Sequence, residues 1–172
     1  DDADWDIAMI VLAVNTGPKK IASREGMDHT VATSPFYSAW VETAQSDLAD
    51  IKVAIANRDF EKLGQITEHN GMKMHATTLS ANPPFTYWTA DSLLAQETVR
   101  QVREKTGLSA YMTMDAGPNV KVLCRESEMD EFVNELSQIF PREKIITSKP
   151  GPAAYILSEE EWHASQKNLK RV

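Results

Sequence analysis

The stretch between residues 109 and 124 restricts the possible folds of this chain more than any other feature. Residues 109–114 and 120–124 are short runs that contain β-branched and aromatic side chains, and the Ala-Gly-Pro-Asn between them is typical of a turn. The pattern predicts a β-hairpin. The fold must therefore include a sheet in which these two strands are neighbours.

Asp115 lies where the first of these predicted strands ends. A carboxylate at such a position is held by regular backbone on one side and faces an open turn on the other, which suits a general base. Asp side chains also accept hydrogen bonds from the backbone of their own turns. The local pattern therefore leaves two roles for Asp115, catalytic base and turn cap.

Three further strands are predicted from runs of apolar and β-branched residues. The continuous apolar run at 7–14 indicates a buried strand, and shorter runs at 144–148 and 153–157 indicate two more. The Lys-Pro-Gly-Pro between the last two runs lacks the spacing of a phosphate-binding loop and predicts a connection.

Five helices beyond residue 33 are predicted from apolar residues at three- and four-residue spacing. Their ends follow from capping residues, glycine and proline. They are a long helix that starts at Ser34-Pro35 and ends near Asn57, one that Asp59 caps and that weakens at Gly71, one that ends at Gly107, one that runs from Ser127 to Pro141, and a short tail helix with a capping box of Ser158 and Glu161. The apolar stripe of the first is predicted to lie in the core: Phe36, Trp40, Ala44, Leu48, Ile51 and Ile55.

The order of these elements predicts the fold class. A chain of 172 residues is one domain by length and can bury roughly 70% of its unfolded surface. Consecutive strands joined by tight turns favour an antiparallel sheet. We therefore predict a single α+β domain over residues 1–172, with an antiparallel sheet and helices packed on one face.

Composition excludes several classes of partner. The net charge of −7 argues against nucleic acid or an anionic membrane, because such binding needs clustered Lys and Arg. No run approaches the roughly 20 apolar residues of a membrane span. Cys124 is the single cysteine, which excludes an internal disulfide and fits a reducing cytoplasm. Its place in a predicted strand indicates a small buried hydrophobe.

A second candidate site lies at Ser23 and Arg24. Ser23 offers an N-cap hydroxyl, and the free amides of a helix start together with a guanidinium form an anion site in outline. A capping Ser followed by a surface Arg is the alternative. His69 and His75 are six residues apart, which is not the spacing of a helical zinc site, so they are predicted to be structural, and no residue is predicted to bind a metal.

The sequence Met-Asp-Ala-Gly-Pro-Asn-Val at 114–120 closely resembles the signature of the mevalonate diphosphate decarboxylases, a family of the GHMP kinase superfamily. Three other stretches resemble that family in the same order, at residues 21–27, 33–35, and 74–77 with 83–87. Together the matches extend from near residue 7 to about residue 157.

The resemblance implies a fold and a reaction. The fold would be that of the GHMP kinase C-terminal domain, with a ferredoxin-like core. The family uses ATP and Mg²⁺ to convert mevalonate 5-diphosphate into isopentenyl diphosphate, carbon dioxide, ADP and phosphate. By this resemblance, Asp115 receives or orients the proton of the substrate alcohol, and Ser23 and Arg24 bind the diphosphate end.

One departure from the family pattern is large. The Gly- and Ser-rich loop that binds ATP belongs to the family's N-terminal domain and has no counterpart here, and the chain begins Asp-Asp-Ala-Asp-Trp without a Met. We therefore expect a C-terminal portion of a two-domain cytoplasmic enzyme, a homodimer when complete and inactive as this portion alone. Two alternatives are a related GHMP small-molecule kinase and a non-catalytic α+β binding or dimerisation domain.

Overall fold

The computed structural model describes residues 5–15, 17, 21–151 and 153–169. Strands and helices alternate in a βαββαβ pattern, and short 3₁₀ turns lie at Glu126–Glu128 and Arg142–Lys144. In chain order the elements are β1 (Ala8–Leu12), α1 (Ser23–Thr33), α2 (Tyr37–Ala56), α3 (Phe60–Leu79), α4 (Ala90–Thr106), β2 (Ala110–Thr113), β3 (Val120–Cys124), α5 (Met129–Leu136), β4 (Ile145–Ser148) and α6 (Glu159–Leu169).

The strands form one antiparallel sheet with the order β2-β3-β1-β4. This is the strand order of the ferredoxin-like βαββαβ motif. The predicted hairpin is confirmed, with Thr113 opposite Lys121 across β2 and β3. The α+β class with an antiparallel sheet is therefore confirmed, and the strand predicted at 7–14 is shorter than expected.

Helices α4 and α5 cover one face of the sheet. Alternate residues of a strand point to the same face, and Ile10, Val120 and Val122 are completely buried on this one. The helices contribute Val99 and Phe132, which are also completely buried. The main hydrophobic core thus lies between the central strands and these two helices.

A smaller apolar cluster lies on the opposite face. Tyr111 and Leu123 are paired across β2 and β3, and they pack with Phe60 and Leu63 of α3. At Gly64 the approach is so close that an added Cβ would lie 1.9 Å from Cδ2 of Tyr111. The absence of a side chain at Gly64 therefore lets α3 lie directly against β2. Helices thus lie on both faces of the sheet, whereas packing on one face was predicted.

The outer edge of β2 is covered by an ion pair between α3 and α4. Nη1 of Arg103 donates to Oε2 of Glu68 at 3.0 Å and to the carbonyl oxygen of Ala110 at 2.9 Å. The backbone N–H of Met112 donates to the same Glu68 oxygen at 2.9 Å. Side chains thereby satisfy backbone groups that a sheet edge would otherwise expose.

The prediction that α3 weakens at Gly71 is wrong, because the helix continues to Leu79. An added Cβ at Gly71 would lie 2.9 Å from Oγ1 of Thr113, so this glycine serves close packing and does not break the helix. The predicted ends at Asp59 and Gly107 are confirmed. Asp59 accepts a hydrogen bond from the N–H of Lys62 at 3.0 Å, and Gly107 has the left-handed φ of 76°.

The prediction that the apolar stripe of α2 lies in the core is also wrong. Of the stripe, Phe36, Leu48 and Ile55 remain about half exposed, and Ala54 is the residue of α2 that is fully buried. The physical reason is that α2 packs against α3 but lies outside the sheet core. Helix α2 also begins at Tyr37, two residues after Pro35, the predicted first residue of the helix.

Two predictions near the end of the chain are wrong and one is confirmed. Residues 153–157 form no strand in the part of the chain that the structure describes, because no strand pairs with them. Helix α5 ends at Leu136 and does not reach Pro141. The capping box of α6 is confirmed, since the N–H of Ser158 donates to Oε2 of Glu161 at 2.8 Å and the N–H of Glu161 donates to Oγ of Ser158 at 3.3 Å.

Ser127 was predicted to begin the helix that is α5, but it does not cap this helix. It lies in the 3₁₀ turn before that helix, and its N–H and hydroxyl donate to the carboxylate of Asp6 at 2.8 and 2.6 Å. These hydrogen bonds lower the pKa of Asp6, and the one from the hydroxyl has the largest effect.

Among the helices that the structure describes, none is long and apolar enough to cross a membrane.

Candidate functional site

Asp115 lies two residues beyond β2, at the start of the hairpin turn, as predicted. Its backbone oxygen accepts a hydrogen bond from the N–H of Gly117 at 2.7 Å. The Asp115 side chain is 71% exposed. A carboxylate that is exposed on a folded turn is accessible to a molecule in solution.

This turn is anchored to two other parts of the fold, one through its backbone and one through the Asn119 side chain. Oγ of Ser92 donates to the carbonyl oxygen of Pro118 at 2.6 Å, and Ser92 belongs to the capping box at the start of α4. Oδ1 of Asn119 accepts from the N–H of Asn15 at 3.0 Å, in the segment that follows β1. These contacts hold the turn in place relative to both α4 and the central strand.

The turn borders a polar pocket of about 230 Å³. The Lys121 ammonium forms an ion pair with Oδ1 of Asp115 inside it. The other described lining residues are Asn15, Gly17, Gly117, Pro118 and Asn119. The pocket thus combines a carboxylate, an ammonium and amide groups, which can bind a polar or anionic molecule and exchange a proton with it.

A buried histidine lies near Asp115 and Lys121. His75 of α3 is fully buried, and its ring contacts the Trp88 ring in a tilted arrangement with the centroids 5.0 Å apart. Neither ring nitrogen has a hydrogen-bond partner of good geometry in the described chain. Burial lowers the pKa of His75, whereas the Met114 backbone and the charge of Asp115 act in the opposite direction. His75 is therefore a neutral group close to Asp115.

The second candidate site is at the start of α1. Ser23 is the first residue of the helix, and Ala22 occupies the N-cap position, so the predicted capping role of Ser23 is wrong. Arg24 is exposed in the first turn. Neither is among the described residues that line the Asp115 pocket. We predict that one substrate contacts Asp115, Ser23 and Arg24 together, and this stays a prediction.

Helix α1 contacts the segment of residues 83–88. At Gly26, an added Cβ would lie 2.1 Å from the Tyr87 hydroxyl oxygen, and Nε2 of His29 lies 2.9 Å from the carbonyl oxygen of Pro83. Burial and the charge of Glu25 raise the pKa of Tyr87. The neighbouring Trp88 contacts the ring of His75, so this segment lies between α1 and the buried histidine.

Cys124 is buried, and burial together with Glu128 and Asp6 raises the pKa of its thiol to about 12. A protonated buried thiol is a poor nucleophile. The prediction of a small buried hydrophobe is confirmed. The described residues contain no group of three or more His, Cys, Asp or Glu that could hold a metal ion.

Sequence reasoning missed Lys121, although a signal for it was present. Pairing the two predicted strands symmetrically about Gly117 places Lys121 opposite Thr113, and the structure has this register. A lysine at that position lies within reach of Asp115. The burial of His75 had no comparable signal, because it depends on how α3 packs.

The four-stranded antiparallel sheet with its helices has the fold of the C-terminal domain in the GHMP kinase superfamily. Residues 9–171 match the family described as Mevalonate 5-diphosphate decarboxylase C-terminal domain. The chain belongs to this family.

Individual relatives agree with the family match. The diphosphomevalonate decarboxylase of Ganoderma lucidum is 34% identical over 143 residues, which cover 80% of this chain and 36% of the relative. The solved mevalonate diphosphate decarboxylase of Staphylococcus aureus is 42% identical with a TM-score of 0.79, covering 84% of this chain and 43% of that one. The chain thus spans less than half the length of these relatives.

A solved structure of MDDEF in complex with MVAPP is 46% identical to this chain, with a TM-score of 0.81. The match covers 86% of this chain and 46% of that one. MDDEF has also been solved with MVAPP, AMPPCP and magnesium together.

Proposed function

We propose that this chain is the C-terminal part of an enzyme that uses ATP to convert mevalonate 5-diphosphate into isopentenyl diphosphate, carbon dioxide, ADP and phosphate. The observation that carries the proposal is the Asp115 carboxylate, exposed on an anchored turn in a chain of the decarboxylase family. Family membership supports the reaction, and the turn supports the role of the residue.

Asp115 acts as the general base in this proposal. Its carboxylate accepts the proton of the tertiary alcohol while the alcohol oxygen forms a bond to the γ-phosphorus of ATP and ADP departs. The new phosphate then leaves with the electrons of its bond to carbon. The carbon–carbon bond to the substrate carboxylate breaks to release carbon dioxide, and the electrons of this bond form the double bond. Phosphoryl transfer depends mostly on positioning and electrostatics, which an anchored turn provides.

ATP and Mg²⁺ bind outside this chain in the proposal. The described residues offer no metal-holding cluster of His, Cys, Asp and Glu, and the sequence has no Gly-rich phosphate loop. The complex of MDDEF with AMPPCP and magnesium supports the use of both groups by an enzyme of this family. The remaining part of the enzyme would supply the contacts, so this chain alone would not turn over.

Ser23 and Arg24 bind the diphosphate end in the same proposal. The first turn of α1 presents backbone N–H groups, and the exposed Arg24 adds a planar guanidinium that pairs well with phosphate oxygens. A local positive group of this kind matters more in a protein of net charge −7.

The proposal is tested with the complete enzyme, mevalonate 5-diphosphate and ATP, by measuring both carbon dioxide and ADP. We expect Asp115→Asn to reduce kcat by about 10²-fold or more with substrate binding retained. Asp50→Asn, at an exposed position of α2, is the matched control. Arg24→Ala should instead raise the KM for mevalonate 5-diphosphate by roughly tenfold or more.

Two results would contradict parts of this proposal. Release of ADP without carbon dioxide would identify a related small-molecule kinase. Near-normal kcat in Asp115→Asn would return Asp115 to the role of turn cap.

We also propose a cytoplasmic homodimer. The free, buried Cys124 fits a reducing compartment. Sedimentation of the complete enzyme tests the dimer.

A further inference from the structure

Backbone and side chain are held differently at Asp115. The turn is held by hydrogen bonds from the Ser92 hydroxyl to the Pro118 carbonyl oxygen and from the Asn15 N–H to the Asn119 side chain. The Asp115 side chain is 71% exposed, and Lys121 forms an ion pair with it. A general base needs an oriented carboxylate, because small errors in its position reduce the rate strongly.

The Lys121 side chain, unlike that of Asp115, is mostly buried. Its backbone lies in β3, between β2 and β1, opposite Thr113 on one side and Val11 on the other. Its side chain is 25% exposed, so most of the aliphatic part is packed and only the ammonium end reaches the pocket. Lys121 is thus a cation on an interior strand of the sheet, fixed by the packing of its aliphatic part.

The fixed cation and the exposed carboxylate meet. The Lys121 ammonium contacts Oδ1 of Asp115, and both residues line the polar pocket. An ammonium at hydrogen-bond distance holds one carboxylate oxygen and so restricts the orientation of the whole carboxylate.

We propose that Lys121 is a positioning residue for the base Asp115, an inference that rests on the proposed function. Lys121 holds Oδ1 and transfers no proton, while the Asp115 carboxylate accepts the proton of the substrate alcohol. The O–H bond of the alcohol breaks, the alcohol oxygen bonds to the γ-phosphorus, and the bond from that phosphorus to ADP breaks. Lys121 acts on kcat through Asp115.

The experiment compares variants of the complete enzyme. We expect Lys121→Met to reduce kcat by about 10- to 100-fold while the KM for mevalonate 5-diphosphate stays within about threefold. Lys121→Arg keeps a cation at the same strand position and should recover most of the loss. Lys105→Met is the matched control, because it removes an exposed ion pair with Glu135 on the surface of α4 and α5.

A double variant distinguishes positioning from a merely structural role. If Lys121 acts through Asp115, Lys121→Met should cause no further loss of kcat in the Asp115→Asn background. Should Lys121→Met fail to fold by circular dichroism, Lys121→Gln replaces it with the same expected loss of kcat. Additive losses in the double variant would overturn the inference.

Failure of this inference differs from failure of the proposed function. An active enzyme whose Lys121→Met variant has normal kcat, or a raised KM alone, overturns the role of Lys121 and leaves the proposed function intact. A wild-type enzyme that releases no carbon dioxide from mevalonate 5-diphosphate overturns the proposed function, and this inference with it.

Discussion

Helices α4 and α2 have similar apolar periodicity but very different environments. In α4, Ala95 and Val99 are completely buried against the sheet. In α2, Leu48 and Ile55 follow the same kind of spacing, and each is about half exposed. Helical periodicity therefore identifies which face of a helix is apolar, and the depth of burial is decided by what lies opposite that face.

The same contrast exists between the two faces of the sheet. Between the sheet and α4 and α5, large side chains such as Phe132 and Leu136 are completely buried. On the other face, the cluster around Phe60 and Leu123 is small and is completed by partly buried residues such as Trp5 and Tyr111. The first region should dominate stability, and the second should depend on close backbone approach.

The largest expected effect is in the main core. Phe132→Ala removes a completely buried ring and should lower the free energy of unfolding by about 3–5 kcal/mol. Leu48→Ala on α2 is the matched control, with an expected change within about 0.5 kcal/mol because the side chain is half exposed. Chemical denaturation of the 172-residue chain measures both, and equal losses would show that the two regions do not differ.

An intermediate effect is expected where α3 meets β2. Gly64→Ala places a methyl group 1.9 Å from the Tyr111 ring and should destabilise the fold by about 1–3 kcal/mol. Gly151→Ala meets nothing within 4 Å and controls for the change from glycine to alanine. Equal melting temperatures of the two variants would mean that α3 does not need this close approach.

The smallest expected effect is a gradual change of the free energy of unfolding with pH, caused by His75. Burial lowers its pKa below the ordinary 6.5, with Lys121 acting in the same direction and the Met114 backbone and Asp115 against it. Between the two pKa values the unfolded chain binds a proton that the folded chain does not. The free energy of unfolding should therefore fall as the pH drops below 6.5 towards the lowered value.

Urea titrations of the chain from pH 7 to pH 5 check this prediction. His75→Asn should reduce the dependence on pH, whatever its effect on stability at pH 7. His163→Asn, at an exposed position of α6, retains His75 and serves as the matched control. A His75→Asn variant with the wild-type slope would contradict the account of a neutral buried imidazole.

Local chemistry explains which parts of the fold were predictable from the sequence. The ends at Asp59 and Gly107 and the capping box at Ser158 depend on a few neighbouring atoms, and the structure has them where predicted. Gly71 was misinterpreted because its role depends on Thr113, 42 positions away in the sequence. Residues 153–157 have β-rich composition, but a strand also needs a partner.

The candidate site also contains residues that the local sequence predicts and residues that it does not. The position of Asp115 followed from the hairpin alone, and its contact with Lys121 could have followed from the register. His75 lies 40 residues before Asp115 in the sequence. It comes near Asp115 because α3, Met114 and Trp88 pack together. No local pattern carries that information. The relation of Arg24 to Asp115 stays a prediction.

The ion pair at the outer edge of β2 has a consequence for solubility. An uncovered edge strand invites hydrogen bonding from the strands of other molecules, which leads to aggregation. Here Ala110 and Met112 already have partners in Arg103 and Glu68, so an incoming strand would first have to separate two charged side chains. The strand that leads into the turn with the candidate base is thereby protected from recruitment into intermolecular sheets.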